Sequence, residues 1–423
     1  MHSTASTDSA IRRRTRRGVP ALLLSLTLVI AAPAAGAPPP AAADARVITT
    51  WNAVAASIIP PNPAAFLNYA FVHLAMYNAV VGITGEYEQY RWGSRAPHNA
   101  SPEAAAAAAA HRVMVTYFPS ATASLDAELA ASLALVPDGG PQDKGIAFGV
   151  RAADHIIALR SNDGRGAMVT IPQATEAGDY SVANGFATPW LGLVRPLAIE
   201  SLTQFDPGPP PPIGSPQYRA DLAEVRSVGA AGATGGARTL EQEQIARYFA
   251  ALPFGPMQEG LRGVATGQAL DISASARLFA ATNTSIADAI GTAWNAKLRY
   301  MWWRPISAIR EVFDDGDPET IADSTWNSLL PAPPYPEWPS GLCSVIAAMT
   351  TSLQYLVGPE LNLTLGTAAV GYRTWTDKDA LDGMAVEARI WSGIHFRTAD
   401  AVAIGIGNGS AGYILDRYFA PSD

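Results

Sequence analysis

A single cysteine, Cys343, stands in 423 residues. That excludes an intramolecular disulfide and a multi-cysteine zinc site, so stability has to come from the core. Cys343 itself reads as a buried structural thiol, with a nucleophile as the alternative. Charge is sparse, at 16% of residues, and the net balance is -8. Subtracting the five arginines and two aspartates of residues 1–45 from 29 basic and 37 acidic residues leaves -11. This argues against nucleic acid or an anionic membrane surface as the main partner. Period-two alternation is scarce and no repeat of fixed period is present. Beyond the N-terminus no stretch approaches the roughly 18 uninterrupted apolar residues of a membrane span.

What is there begins with an export pattern. Arg12, Arg13, Arg14, Arg16 and Arg17 precede a largely apolar run from Val19 to Ala32, and small residues follow. Ala-Gly-Ala at 35–37 and Ala-Asp-Ala at 43–45 are candidate cleavage sites. The run is short for an anchor, so a cleaved signal and an extracellular or periplasmic protein without a stable membrane span are expected. The chain divides into residues 1–45, signal and linker; 46–217, an N-terminal helical half; and 218–423, a C-terminal helical half. An extended crossing segment, with a proline run at 207–212 broken only by Gly208, occupies 161–217.

Helical periodicity dominates the rest. In 64–83, Phe66, Tyr69, Ala70, His73, Met76, Tyr77 and Val80 recur at three- and four-residue steps, marking a buried face. His73 on that face, and His111 and His155 further on, read as structural. Ser101-Pro102-Glu103 and Thr239-Leu-Glu-Gln are helix starts. Helices are predicted over 256–270, 273–309, 341–356, 363–374, 380–392 and 399–418. The class is all-α, with helices packed as bundles.

Three stretches carry chemistry. Lys297 and Arg304 lie seven apart with Met301, Trp302 and Trp303 between them, and on one helix both would share a face. Cations beside aromatic bulk suit an anion pocket, where arginine offers a fork and lysine a point charge. In Pro339-Ser340-Gly341 a loop becomes a helix N-terminus, which offers free N–H groups, although Ser340 reads equally as an N-cap. Arg389 and His395, six apart, complete an inventory for a tetrahedral oxyanion: three cations, a hydroxyl, a glycine amide and one nucleophile or metal ligand.

Lysine, six residues, Arg-Pro; Pro-Ser-Gly; arginine, five residues, histidine: this tripartite pattern resembles the type 2 phosphatidic acid phosphatase and vanadium haloperoxidase superfamily. From roughly Trp51 to Leu415 the chain is similar to the soluble bacterial vanadium-dependent haloperoxidases, most of all over 71–79 and 294–310. The resemblance implies two four-helix bundles. It implies that Lys297, Arg304, Ser340, Gly341 and Arg389 hold the equatorial oxygens of vanadate or phosphate. His395 would be the vanadium ligand, or in a phosphatase the phosphorylated nucleophile, and Lys297 would polarise bound peroxide. Hydrogen peroxide, a halide and an organic acceptor are the implied small-molecule partners, and a homodimer is left open as the assembly. Trp294 and Tyr335 are halide-side candidates, and each reads equally as core packing.

Two positions depart from the family. Pro-Ser-Gly is followed by Leu342, where the family carries the histidine that gives or takes the proton, and Ala399 stands where an aspartate is usual, with Asp400 one residue later. General acid–base help is worth roughly 10²–10⁴-fold. The expected function is therefore an exported haloperoxidase-like enzyme altered at its acid–base position. An acid phosphatase working through phospho-His395, or a catalytically inactive oxyanion-binding relative, are the alternatives. Glu337 and Cys343 neighbour the altered position, and helical spacing should turn Cys343 away from the site.

Overall fold

Helix α1 (Arg46–Ile58) is followed by α2 (Ala65–Thr84), apolar on every side and buried along almost its whole length. By length and composition α2 could cross a membrane, but 89% of its most apolar window is buried inside the protein. It packs on α3 (Pro102–Tyr117) and α5 (Gly140–Leu159), with α4 (Thr122–Leu133) lying against α3. Small residues bring α3 and α5 together. Alanines fill 104–110 of α3, and a Cβ at Gly149 of α5 would come within 2.1 Å of the Ala105 carbonyl. The computed structural model describes residues 44–310 and 313–422. The export pattern lies outside the described residues.

After the crossing segment come α6 (Pro216–Val228), α7 (Leu240–Ala250) and α8 (Gly255–Gly267). Thr239 opens α7 with both bonds of a capping box. The 29-residue α9 (Ile272–Tyr300) packs against α2 on one side and against α11 (Gly341–Val357) and α13 (Arg397–Leu415) on another. It joins two helical groups: α2, α3 and α5, and α11, α13 and α12 (Lys378–Trp391). Gly407 lets α13 approach α11, where a Cβ would meet the Ser344 carbonyl at 2.3 Å. Ala43–Asp423 form one compact unit. Among the described residues the protein is all-α apart from one hairpin.

That hairpin corrects the helix expected over 363–374. β1 (Leu363–Thr367) pairs antiparallel with β2 (Gly371–Trp375). Gly366 and Gly371 have φ of 143° and 80°, which a helix interior does not allow, and the threonines suit a pleated strand. Leu363 and Leu365 point the same way into the core.

A second correction concerns 273–309. The helix ends at Tyr300, where Met301 takes a left-handed conformation with φ 44°, and resumes only as the short α10 (Pro305–Ile309). Proline at 305 pushes Arg304 into extended backbone, φ -83° and ψ 156°. Lys297 and Arg304 therefore do not share a helix face. The crossing segment holds the break: Tyr180 N–H donates to Met301 O at 2.7 Å and Trp303 N–H to Gly178 O at 2.8 Å. The segment is fastened in turn by Asp288 of α9, which accepts from the amides of Leu197, Ala198 and Ile199 at 2.7–2.9 Å.

Candidate oxyanion site

The six candidate residues come from five places that the fold brings together. Lys297 sits in the last turn of α9, Arg304 caps α10, Ser340 and Gly341 start α11, Arg389 ends α12, and His395 lies in the turn before α13. Gly393, φ 77°, makes that turn so close to Gly229 that a Cβ would meet its carbonyl at 2.3 Å. Buried Arg238 ties the end of α12 by donating to Trp391 O at 3.1 Å and to the carbonyls of Val228 and Ala230.

Lys297 is fully buried. Its ammonium donates to the carbonyls of Pro336 at 2.7 Å, Glu337 at 3.0 Å and Pro339 at 2.5 Å. An ammonium has three donors, and all are used. Lys297, expected to face the oxyanion, here holds the loop that leads into α11. Burial first, and then Arg304, pull its pKa well below the ordinary lysine value.

His395 is held at both nitrogens. Nε2 lies 3.1 Å from Arg304 Nη1, and Nδ1 lies 2.9 Å from Glu337 Oε1. A guanidinium can only donate, so Nε2 presents its lone pair and the neutral ring carries its proton on Nδ1. Glu337 Oε1 also accepts from the Phe396 amide at 2.9 Å, which fixes the carboxyl against the turn. Burial, and then Arg304, Arg389 and Lys297, drive the His395 pKa well below the usual range. Burial raises Glu337 to about 8 and Asp400 to about 7.

Three buried donors at the site lack partners. Arg304 Nη2, Arg389 Nε and Ser340 Oγ make no hydrogen bond. Arg389 is 5% exposed, and its whole guanidinium donates to nothing among the described residues. Ser340 stands at the N-cap of α11, yet its hydroxyl caps nothing. It lies beside Asp400 and Cys343 without forming a well-directed bond. At Gly341 a Cβ would come within 2.7 Å of the Trp294 ring, so only glycine leaves this helix start open.

Trp294 and Tyr335 pack with ring centroids 4.8 Å apart and planes tilted by 51°. Lys297 Nζ lies 5.5 Å from the Trp294 ring and 5.1 Å from the Tyr335 ring, and Arg304 Cζ lies 5.0 Å from the Tyr335 ring. The pair thus covers the cations, whose proximity to ring faces is favourable. Leu342, half-buried, lines an apolar cavity.

The VCPO second helical-bundle domain matches residues 277–421, a span that contains all six candidates. Residues 277–421 thus correspond to that helical-bundle domain. A bacterial vanadium-dependent iodoperoxidase shares the fold at a TM-score of 0.74 and 22% identity, over 89% of this chain and 96% of that one. Two structures of bacterial vanadium-dependent chloroperoxidase, apo-type and holo-type, each have a TM-score of 0.68. They share 17% and 16% identity, over 85% and 89% of this chain and 94% and 97% of theirs. No curated protein matches the chain.

For a tetrahedral oxyanion the residues present fit. Unpartnered donors, an amide at a helix start and an imidazole with its lone pair on Nε2 are the set vanadate or phosphate requires. Two residues that the sequence named only as neighbours of the altered position make contacts it did not foretell. Glu337, and not an aspartate after the histidine, orients His395. Cys343 does not turn away: its thiol contacts Asp400 Oδ1 at 3.5 Å, and burial raises its pKa. Neither could be found from spacing, because Glu337 lies 58 residues from His395 and Cys343 lies 57 from Asp400.

Proposed function

We propose that the protein binds vanadate at His395 and oxidises halide with hydrogen peroxide, as an exported haloperoxidase-like enzyme with a weakened proton-transfer step. The observation that carries this reading is Arg389, a buried arginine whose Nε has no hydrogen-bond partner among the described residues. Burying a cation without a partner is costly unless something anionic arrives. Arg304 Nη2, Ser340 Oγ and the Gly341 amide would share the oxyanion with Arg389, and His395 Nε2 would be the ligand after Arg304 Nη1 lets go of it. Vanadate, once bound, supplies the activation of peroxide. The chain's own residues orient the imidazole, neutralise charge and exclude water. Leu342 has no proton to give or take, so the step that a histidine would assist is slow.

One observation favours a second reading. With Leu342 in an apolar wall and Lys297 spent on carbonyls, the same pocket would hold phosphate or vanadate without turnover. Calorimetric titration of orthovanadate into the protein and into His395→Ala separates these. Binding by the first and not the second supports the reading, and peroxide with each halide then tests turnover. No binding to either defeats it. Leu342→His should raise halide oxidation several-fold; a variant that binds vanadate normally but is no faster counts against a proton-transfer defect.

A further inference from the structure

A cavity of about 290 Å³ adjoins the oxyanion site and is not accounted for by oxyanion binding. Phe66, Phe254, Ile290, Leu342 and Val345 form its apolar walls, and Trp294, Tyr335 and Gly341 belong both to it and to the site. No charged side chain lines it. The lining residues with polar side-chain atoms are Asn62, Tyr335 and Trp294, and Trp294 Nε1 is taken by the Ala187 carbonyl at 3.1 Å. A space of this size far exceeds one water molecule, and water would find few partners there. Small-molecule sites are concave, mostly apolar and marked by a few polar groups, which describes this cavity.

We propose that the cavity is a binding site for an uncharged, ring-containing organic molecule, held against the Trp294–Tyr335 pair. Two walls of different origin converge here. Phe66 comes from α2 and Ile290 from the middle of α9, while Leu342 and Val345 come one turn apart from α11. Leu342 thus has a positive role: it completes an apolar wall beside Gly341, where a polar side chain would be left without a partner. A charged molecule would lose its hydration and find no counter-charge on the lining. The Trp294 and Tyr335 rings, 4.8 Å apart and tilted by 51°, offer aromatic surface for another ring. Its role as the organic acceptor rests on the haloperoxidase reading; binding itself does not.

Titration of 2-naphthol, against the carboxylate 2-naphthoate, tests this in the protein and in His395→Ala. Saturable 2-naphthol binding at one site is expected in both, with 2-naphthoate at least tenfold weaker. Leu342→Trp, which fills the cavity, and Leu342→Glu, which charges its wall, should each weaken 2-naphthol at least tenfold; position 342 is half-exposed and tolerates exchange, and either folded variant suffices. No saturable 2-naphthol binding to the protein, equal binding of 2-naphthoate, or unchanged binding in a folded Leu342 variant overturns the proposal. Loss of orthovanadate binding with 2-naphthol binding retained would defeat the haloperoxidase reading and leave the cavity site standing.

Discussion

Oε1 of Glu337 lies 2.9 Å from His395 Nδ1 and 2.9 Å from the Phe396 amide, so one carboxylate oxygen fixes both a ring and the backbone that presents it. Lys297 in turn holds the Glu337 carbonyl and its neighbours. The loop is thus pinned by a cation from α9 and reads its position out to an imbidazole-bearing turn 58 residues away. Carboxylate partners of this kind fix the ligand tautomer and raise its basicity, and losing one typically costs roughly 10–100-fold in affinity.

Glu337→Leu should therefore lower orthovanadate affinity by about 10–100-fold. Glu337→Gln can still accept from Nδ1 and should lose less. The check is calorimetry beside ¹⁵N spectra of the His395 ring, which report the proton on Nδ1. Equal affinity and an unchanged tautomer in Glu337→Leu would remove Glu337 from the site.

Arg389→Met withdraws a donor and a buried charge together. Loss of a hydrogen bond to a charged group, about 1.5–3 kcal/mol, predicts at least tenfold weaker vanadate or phosphate binding. Melting temperature should stay level or rise, because the guanidinium makes no bond in the protein alone. A purely structural arginine would give the opposite pair: a lower melting temperature and unchanged affinity.

Gly341→Ala places a methyl 2.7 Å from the Trp294 ring. Overpacking of this kind costs about 1–3 kcal/mol. Gly263→Ala in α8, where a Cβ meets nothing within 4 Å, should instead add about 0.5–1 kcal/mol. Denaturant melts of the two variants should move in opposite directions.

His73 gives the pH dependence. It is fully buried, accepts at Nε2 from Asn52 Nδ2 at 2.9 Å, and stacks on Phe279 at 4.8 Å. Burial, with a smaller push from Arg262, lowers its pKa from 6.5 to about 3. Across that interval the unfolded chain binds a proton here and the folded chain does not. Stability is therefore lost as pH falls through the window, by about 1.4 kcal/mol per unit. His73→Gln should flatten the loss between pH 6.5 and 4; parallel melting curves for the two proteins would discount His73 as its source.

The sequence alone determined the class of the fold and the chemistry of the inventory. Apolar residues at three- and four-residue steps have one way to be buried, so α2 was legible from 64–83, and the Thr239 box named the start of α7. One lysine, two arginines and a histidine in a fixed pattern named an oxyanion, because few other ligands need that set. What tertiary structure decided was who touches whom. Pro305 and the pairing of Met301 and Trp303 with the crossing segment took Arg304 off the helix face of Lys297. Packing sent Lys297 to carbonyls, Glu337 to His395, and Leu342 into an apolar wall. Local spacing fixes the directions of side chains only within one element. Each of these contacts joins two elements, and its geometry follows from how closely their small residues let the helices approach.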